Sequence, residues 1–159
     1  MMQKLIVLSL LALLAGPAVA AQCSTDITTS DQLTFSKQII IVDQRCPTFT
    51  VNLIHPADAH GMFGHVHNLV VSKTSDVAGI AQDAMGTGRS DNYLKHNDAR
   101  VIAHTDVVGA GETSSLTINT NKLAPDEHYS FFCSVPGHVG TMFGEVILQT
   151  PARTEKRAD

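Results

Sequence analysis

Phe131-Phe132-Cys133-Ser134-Val135-Pro136-Gly137-His138-Val139-Gly140-Thr141-Met142 is the stretch on which the reading of this 159-residue chain turns. An apolar strand runs into a cysteine, Pro136-Gly137 reverses the chain, and a histidine and a methionine follow, the methionine at the start of the last strand. A tight loop of this length brings a thiolate, an imidazole and a thioether to one point, and those soft and borderline donors suit copper. The loop holds no carboxylate, which argues against calcium or magnesium and against a water-activating site of the His-carboxylate kind. Taken alone, Cys-x4-His-x3-Met is a weak pattern, equally open to a buried structural thiol beside an unrelated His and a core Met.

A second imidazole has to come from elsewhere. His67 opens the apolar run His67-Asn68-Leu69-Val70-Val71, so a neighbouring strand end can present it to the loop. His60 and His65 crowd the same segment, and spacing alone does not choose among the three. An extra pair of histidines there also suits adventitious zinc or copper at the surface. Sulfur and low coordination favour Cu(I), whereas nitrogen and planar geometry favour Cu(II). Two His, one Cys and a weak axial Met lie between those preferences. Little then moves when an electron arrives or leaves, and the pattern points to electron carriage.

The remaining chain reads as short strands. Thr48 to Leu53 alternates apolar and polar residues, and Ile39 to Val42, Leu69 to Val71, Val101 to Ala103, Leu116 to Ile118, Tyr129 to Phe132 and Val146 to Leu148 are further apolar or β-branched runs. Turn residues separate them, which favours an all-β antiparallel sandwich or barrel over a βαβ architecture. One segment differs: Val77, Ile80, Ala81, Ala84 and Met85 share one helical face, with Ser75 or Asp76 to cap it and Gly86 to end it. Gly86 to Asp98 reads as a polar loop with little pattern.

The ends set the compartment. Lys4, the apolar run Leu5 to Ala15, and Ala18-Val19-Ala20 form a signal peptide over residues 1–20, too short to span a bilayer. An exported protein with no membrane anchor is expected, with one domain at 21–150 and a charged, disordered tail at 151–159. An oxidising compartment lets two of the three cysteines pair. Assigning Cys133 to a metal leaves Cys23 with Cys46, while a disulfide at Cys133 would strand another thiol. A formal net charge of −4 with no basic cluster excludes nucleic acid as a natural partner.

With those residues in view, the chain resembles the azurin family of bacterial cupredoxins. The matching segments are Ala21-Gln22-Cys23-Ser24, Phe49-Thr50-Val51-Asn52-Leu53, Asn68 to Ser72, Tyr93-Leu94-Lys95, Arg100-Val101-Ile102-Ala103-His104-Thr105, Phe131-Phe132-Cys133 and Pro136-Gly137-His138. The resemblance implies an eight-stranded Greek-key β-sandwich with one helical flank insertion. It further implies a periplasmic type 1 (blue) copper site, one copper per chain, and one-electron carriage by a monomer. Its ligands fall on His67, Cys133 and His138, with Met142 axial, and it selects His67 because an Asn and an apolar strand follow. Asn68 is implied to bond towards Ser134 and the Cys133 sulfur, and Cys23 and Cys46 to form the family's disulfide. His55 is implied to lie near the site and His104 on the surface. Partners implied are redox proteins such as c-type cytochromes or copper reductases, met transiently across a rim that includes Phe132, Val135 and Val139.

Three departures accompany the match. Val66 stands where the family offers a glycine carbonyl to copper, so a weak backbone contact is expected there only if no glycine-like conformation is needed. The family's buried Trp is absent and Leu69 takes its place. His65, Val135 and Thr141 make the face around the exposed ligand more polar. Three other classes fit less well. A copper nitrite reductase or oxidase needs a second metal site and a second domain; a copper chaperone rests only on the clustered histidines; a zinc-stapled sandwich would be betrayed by its zinc content.

Overall fold

Alternation along β3 (Thr48–Ile54) decides which side of the chain meets the core: Phe49, Val51 and Leu53 are buried and the residues between them are not. The computed structural model describes residues 20–58 and 66–150. The expected signal peptide up to residue 19, His60, His65 and the tail at 151–159 lie outside the described residues. β3 pairs antiparallel with β6 (Thr113–Asn119), setting Phe49 opposite Ile118 and Val51 opposite Leu116, and parallel with β1 (Ser24–Thr28).

The second sheet has the order β2-β8-β7-β4-β5 and is built from β2 (Ile39–Asp43), β4 (Val70–Lys73), β5 (Val101–His104), β7 (Tyr129–Phe132) and β8 (Phe143–Gln149). Ile27, Ile40, Val51, Leu69, Phe131 and Met142 are among the side chains that fill the space between the sheets. Among the described residues, no helix is long and apolar enough to cross a membrane.

The β-sandwich is as expected, but its pairing is not antiparallel throughout, because β1–β3 and β2–β8 are parallel. After β1 the chain crosses to the other sheet as β2 and returns as β3 beside β1, so the two neighbours run the same way. The crossing is tied by the Thr29–Phe35 bridge and by the Ser36 N–H donating to the Thr28 carbonyl at 2.8 Å. Side-chain periodicity reports which face is buried and carries no strand direction. The disulfide Cys23–Cys46 fastens the start of β1 to the segment after β2, across a sequence separation of 23; such a loop closure is worth roughly 3 kcal/mol.

The flank helix α1 (Val77–Ala84) buries Val77, Ile80 and Ala84 as the periodicity requires. Met85 instead stands 67 % exposed, one residue past the helix. Asp76 makes no side-chain cap, because a 3-10 turn at Thr74–Asp76 precedes the helix and the Thr74 carbonyl takes the Val77 N–H. Val77, Ile80 and the loop residue Leu94 pack with Val70 and Phe132 on the outer face of the second sheet. Phe132 is therefore fully buried and forms no part of a docking rim, since β7 is covered on both faces. Gly86 to Asp98 is less featureless than its sequence suggests: it holds a 3-10 turn at Arg89–Asp91 and left-handed residues at Asn92 and Tyr93.

Gly144 on β8 shows how tightly neighbouring strands of the second sheet pack, because Phe131 lies directly opposite it on β7. A Cβ there would meet the Phe131 ring and lie 2.6 Å from the Gln38 carbonyl oxygen, which is backbone and cannot yield. Gly144→Ala should cost at least about 2 kcal/mol by overpacking, measured as a lower midpoint in denaturant unfolding, with the buried Phe131 as the displaced group.

Candidate metal centre

Cys133 follows directly on β7, and the loop it opens is locked by its own backbone. The Cys133 N–H donates to the Met142 carbonyl at 3.0 Å, His138 N–H to Val135 at 3.0 Å, and Met142 N–H to His138 at 2.8 Å. Gly137 supplies the turn with φ +87°, a conformation that favours glycine. His67 arrives from the other side, just before β4. It forms a two-way bridge with Val108, donating at 2.9 Å and accepting at 2.7 Å.

These constraints bring one ring nitrogen each of His67 and His138 and the Cys133 sulfur within 4.8 Å of one another, all three residues buried. Among the described residues this is the group of His, Cys, Asp and Glu side chains arranged to hold a metal ion. His138 Nδ1 lies 3.6 Å from Cys133 Sγ. The His67 and His138 ring centroids are 5.1 Å apart, and His55 stacks on His67 at the same centroid distance of 5.1 Å. Met142 is fully buried in the main core with both backbone groups tied into the loop. Val66 is half-buried beside Gly109, and His104 is exposed at the end of β5.

Asn68 and Ser134 join the two halves of the site. Asn68 Nδ2 donates to Ser134 Oγ at 2.8 Å, and the Ser134 N–H donates to Asn68 Oδ1 at 2.9 Å. Both residues are buried, so this reciprocal pair fixes the segment carrying His67 against the loop carrying Cys133. The sulfur itself is approached by the backbone N–H groups of Asn68 and Val135. Asn92, which sequence reasoning passed over, completes the network. Its carbonyl accepts from Asn68 Nδ2 at 2.6 Å, and its Oδ1 accepts from the Val107 N–H at 3.0 Å. Its left-handed φ of +54°, a conformation asparagine tolerates, is the one signal its sequence position offered.

The donor chemistry fits copper. One thiol and two imidazoles, with a buried thioether in the same loop and no carboxylate in the cluster, form a soft set. Burial pushes the Cys133 thiol up to about 11, against the two backbone N–H groups that favour its anion. A thiol in that state stays protonated at neutral pH until a cation is bound beside it, and metal binding therefore releases a proton.

A model of copper binding proteins of the plastocyanin/azurin family matches residues 21–149. The chain is 45 % identical over 150 residues to azurin of Pseudomonas aeruginosa, covering 94 % of this chain and 100 % of that protein. It is 42 % identical over 145 residues to azurin of Bordetella pertussis, covering 89 % and 93 %. Among solved structures, an azurin (Az-iso2) from the obligate methylotroph Methylomonas sp. strain J superposes with a TM-score of 0.75 at 36 % identity, covering 81 % of this chain and 99 % of that one.

The raised thiol pKa sets a pH dependence. Between its ordinary 9.0 and about 11 the unfolded chain has released the Cys133 proton while the metal-free fold retains it, so stability falls as pH rises through this window. Thermal melts of metal-free protein should show a loss of roughly 2–3 kcal/mol across it. Cys133→Ser should remove that loss, and its persistence in the variant would assign it to other groups.

Proposed function

The chain belongs to the plastocyanin/azurin family of copper-binding proteins, and on that premise we propose a periplasmic one-electron carrier whose copper is held by His67, Cys133 and His138. Met142 is the distant axial donor and the Val66 carbonyl a weak further contact. The observation that carries the reading is the convergence of two imidazole nitrogens and one thiol, all buried, within 4.8 Å. Bound copper supplies a single-electron change between Cu(II) and Cu(I).

The protein's own part is to hold the donors still and keep water away. The Cys133–Met142 loop is closed by backbone bonds, and the Asn68–Ser134 pair holds it against the segment carrying His67. A donor set that does not rearrange keeps the barrier to electron exchange low. His138 is 9 % exposed while His67 and Cys133 are wholly covered, so His138 is the exit. Beside it Val135, Pro136, Gly137 and Val139 line a recess shared with Ala78, Ala81 and Met85 of the flank helix region. That small apolar surface suits brief contact with redox proteins such as c-type cytochromes or copper-containing reductases. The chain catalyses no reaction of its own.

Protein loaded with copper(II) should be intensely blue through thiolate-to-copper charge transfer, bleach with ascorbate, and lose the colour in Cys133→Ser. A colourless protein that takes up zinc instead, or copper that a mild chelator strips within seconds, would replace the carrier with a structural or buffering site.

A further inference from the structure

Where His67 enters the second sheet, two residues of one segment face a single residue of the other. Thr105 donates its N–H to the Leu69 carbonyl at 3.0 Å and receives the Leu69 N–H on its hydroxyl at 3.0 Å, while Val108 exchanges two backbone bonds with His67. Between those contacts Asn68 stands opposite both Asp106 and Val107, which makes a β-bulge beside the metal site. The N–H groups of a bulge need partners from elsewhere. Ser114 Oγ takes the Asp106 N–H at 3.0 Å, and Asn92 Oδ1 takes the Val107 N–H at 3.0 Å. Asn92 Nδ2 then donates to the Asp106 carboxylate at 2.9 Å. The position demands a donor and an acceptor on one short side chain, because the Val107 N–H can only donate and an ionised carboxylate can only accept.

Asn92 and Tyr93 are consecutive left-handed residues, with φ of +54° and +51°. Their carbonyls accept from Asn68 Nδ2 at 2.6 Å and from Ser134 Oγ at 2.8 Å, so this turn supports both members of the pair that joins the halves of the site. We propose that Asn92 is a positioning residue for the metal centre: its side chain, seated in the bulge, fixes the turn whose carbonyls orient Asn68 and Ser134 around Cys133. The Asn92 N–H, donating to the Arg89 carbonyl at 3.0 Å, ties that turn to the 3-10 segment before it. Asn92 acts on the thiol through Asn68, whose backbone N–H approaches the Cys133 sulfur. It acts on the imidazole through Val107, the neighbour of the residue that pairs with His67. One side chain thereby refers two metal donors, brought from distant parts of the chain, to a single point of the scaffold. That these donors hold copper rests on the carrier function proposed above, whereas the positioning is a property of the metal-free protein.

Asn92→Gly keeps the left-handed turn and removes both side-chain bonds. In metal-free protein, amide hydrogen exchange should then speed up at least about tenfold at Val107, which loses its acceptor, and at Ser134, whose acceptor Asn68 loses its fixed support. Amides of β3 should exchange as before, which separates loss of the turn from loss of the fold. Copper-loaded Asn92→Gly should shift its thiolate-to-copper band and release copper to a chelator about three- to tenfold faster, less than the roughly 10–100-fold expected for a group bonded directly to a ligand. Asn92→Asp retains the acceptor for Val107 but sets one carboxylate against another at Asp106, and it should loosen copper as well. Combining it with Asp106→Asn exchanges donor and acceptor and should restore both the band and the release rate. Unchanged exchange at Ser134 in Asn92→Gly, or copper release not restored by the double substitution, would overturn the proposal. A parent protein that takes up no copper would remove the carrier function, and faster exchange at Ser134 would still support the positioning role.

Discussion

A thiol placed in a hydrophobic core is the constraint on which the rest of this molecule depends. Cys133 shares its cluster with Phe131, Val71 and Met142, where a lone anion is strongly disfavoured. Such a thiol is inert until a cation arrives, and once it does the same dry surroundings strengthen the attraction between them. The surrounding polar groups are few and fully employed. Asn68 bonds Ser134 twice and the Asn92 carbonyl once, and Ser134 Oγ donates to the Tyr93 carbonyl at 2.8 Å. Loss of one member would leave buried partners unsatisfied, which makes the network a unit.

The flank helix extends this control outwards. Phe132 immediately precedes the cysteine and Val139 immediately follows the loop histidine, and both pack into the small outer cluster with Val77, Ile80 and Leu94. The donor loop is thus gripped at both ends from outside the sheet as well as from within. Arg100 anchors the helix in turn, donating to Asp83 on α1 at 2.5 Å and to Asp98 at 2.6 Å. Its guanidinium occupies the space a side chain at Gly79 would need. That bonding holds the Asp98 carboxyl below its ordinary range. Partial exposure of Arg100 and Asp83 limits the energetic value of the clasp, so its contribution is to orientation more than to stability.

Much of this was legible in the sequence, for identifiable reasons. β3 and α1 were readable because burial imposes periods of two and 3.6 on Phe49, Val51 and Leu53 and on Val77, Ile80 and Ala84. β1 offered no such signal: in Ser24–Thr28 only Ile27 is fully buried, and a single apolar residue shows no alternation. Its parallel pairing with β3 depends on a crossover that neither strand encodes alone. The Cys133–Met142 loop was legible as donors at short spacing, whereas His67 needed the family resemblance, because bridging to Val108 is a long-range event. Phe132 misled for a related reason, since its burial is imposed by a helix more than fifty positions earlier in the chain. Asn92 lay in a segment whose order comes from left-handed turns and side-chain bonds, to which hydrophobic patterning is blind.

The two surfaces left unpartnered by this fold are separated by its topology. The recess beside His138 lies where α1 and the loop meet, and α1 covers β7 and β4 through Phe132 and Val70. The open edge belongs to β2, and β8 stands between β2 and β7. Extending the sheet at β2 therefore adds strands on the side away from the helix and leaves the recess uncovered. The two surfaces also differ in kind. The recess is a small apolar concavity suited to partners that must leave quickly, and the edge offers directional backbone donors and acceptors. The recess thus sits over the central strands β7 and β4 while the exposed edge lies at one margin of the same sheet, so the fold lets each surface be filled without covering the other.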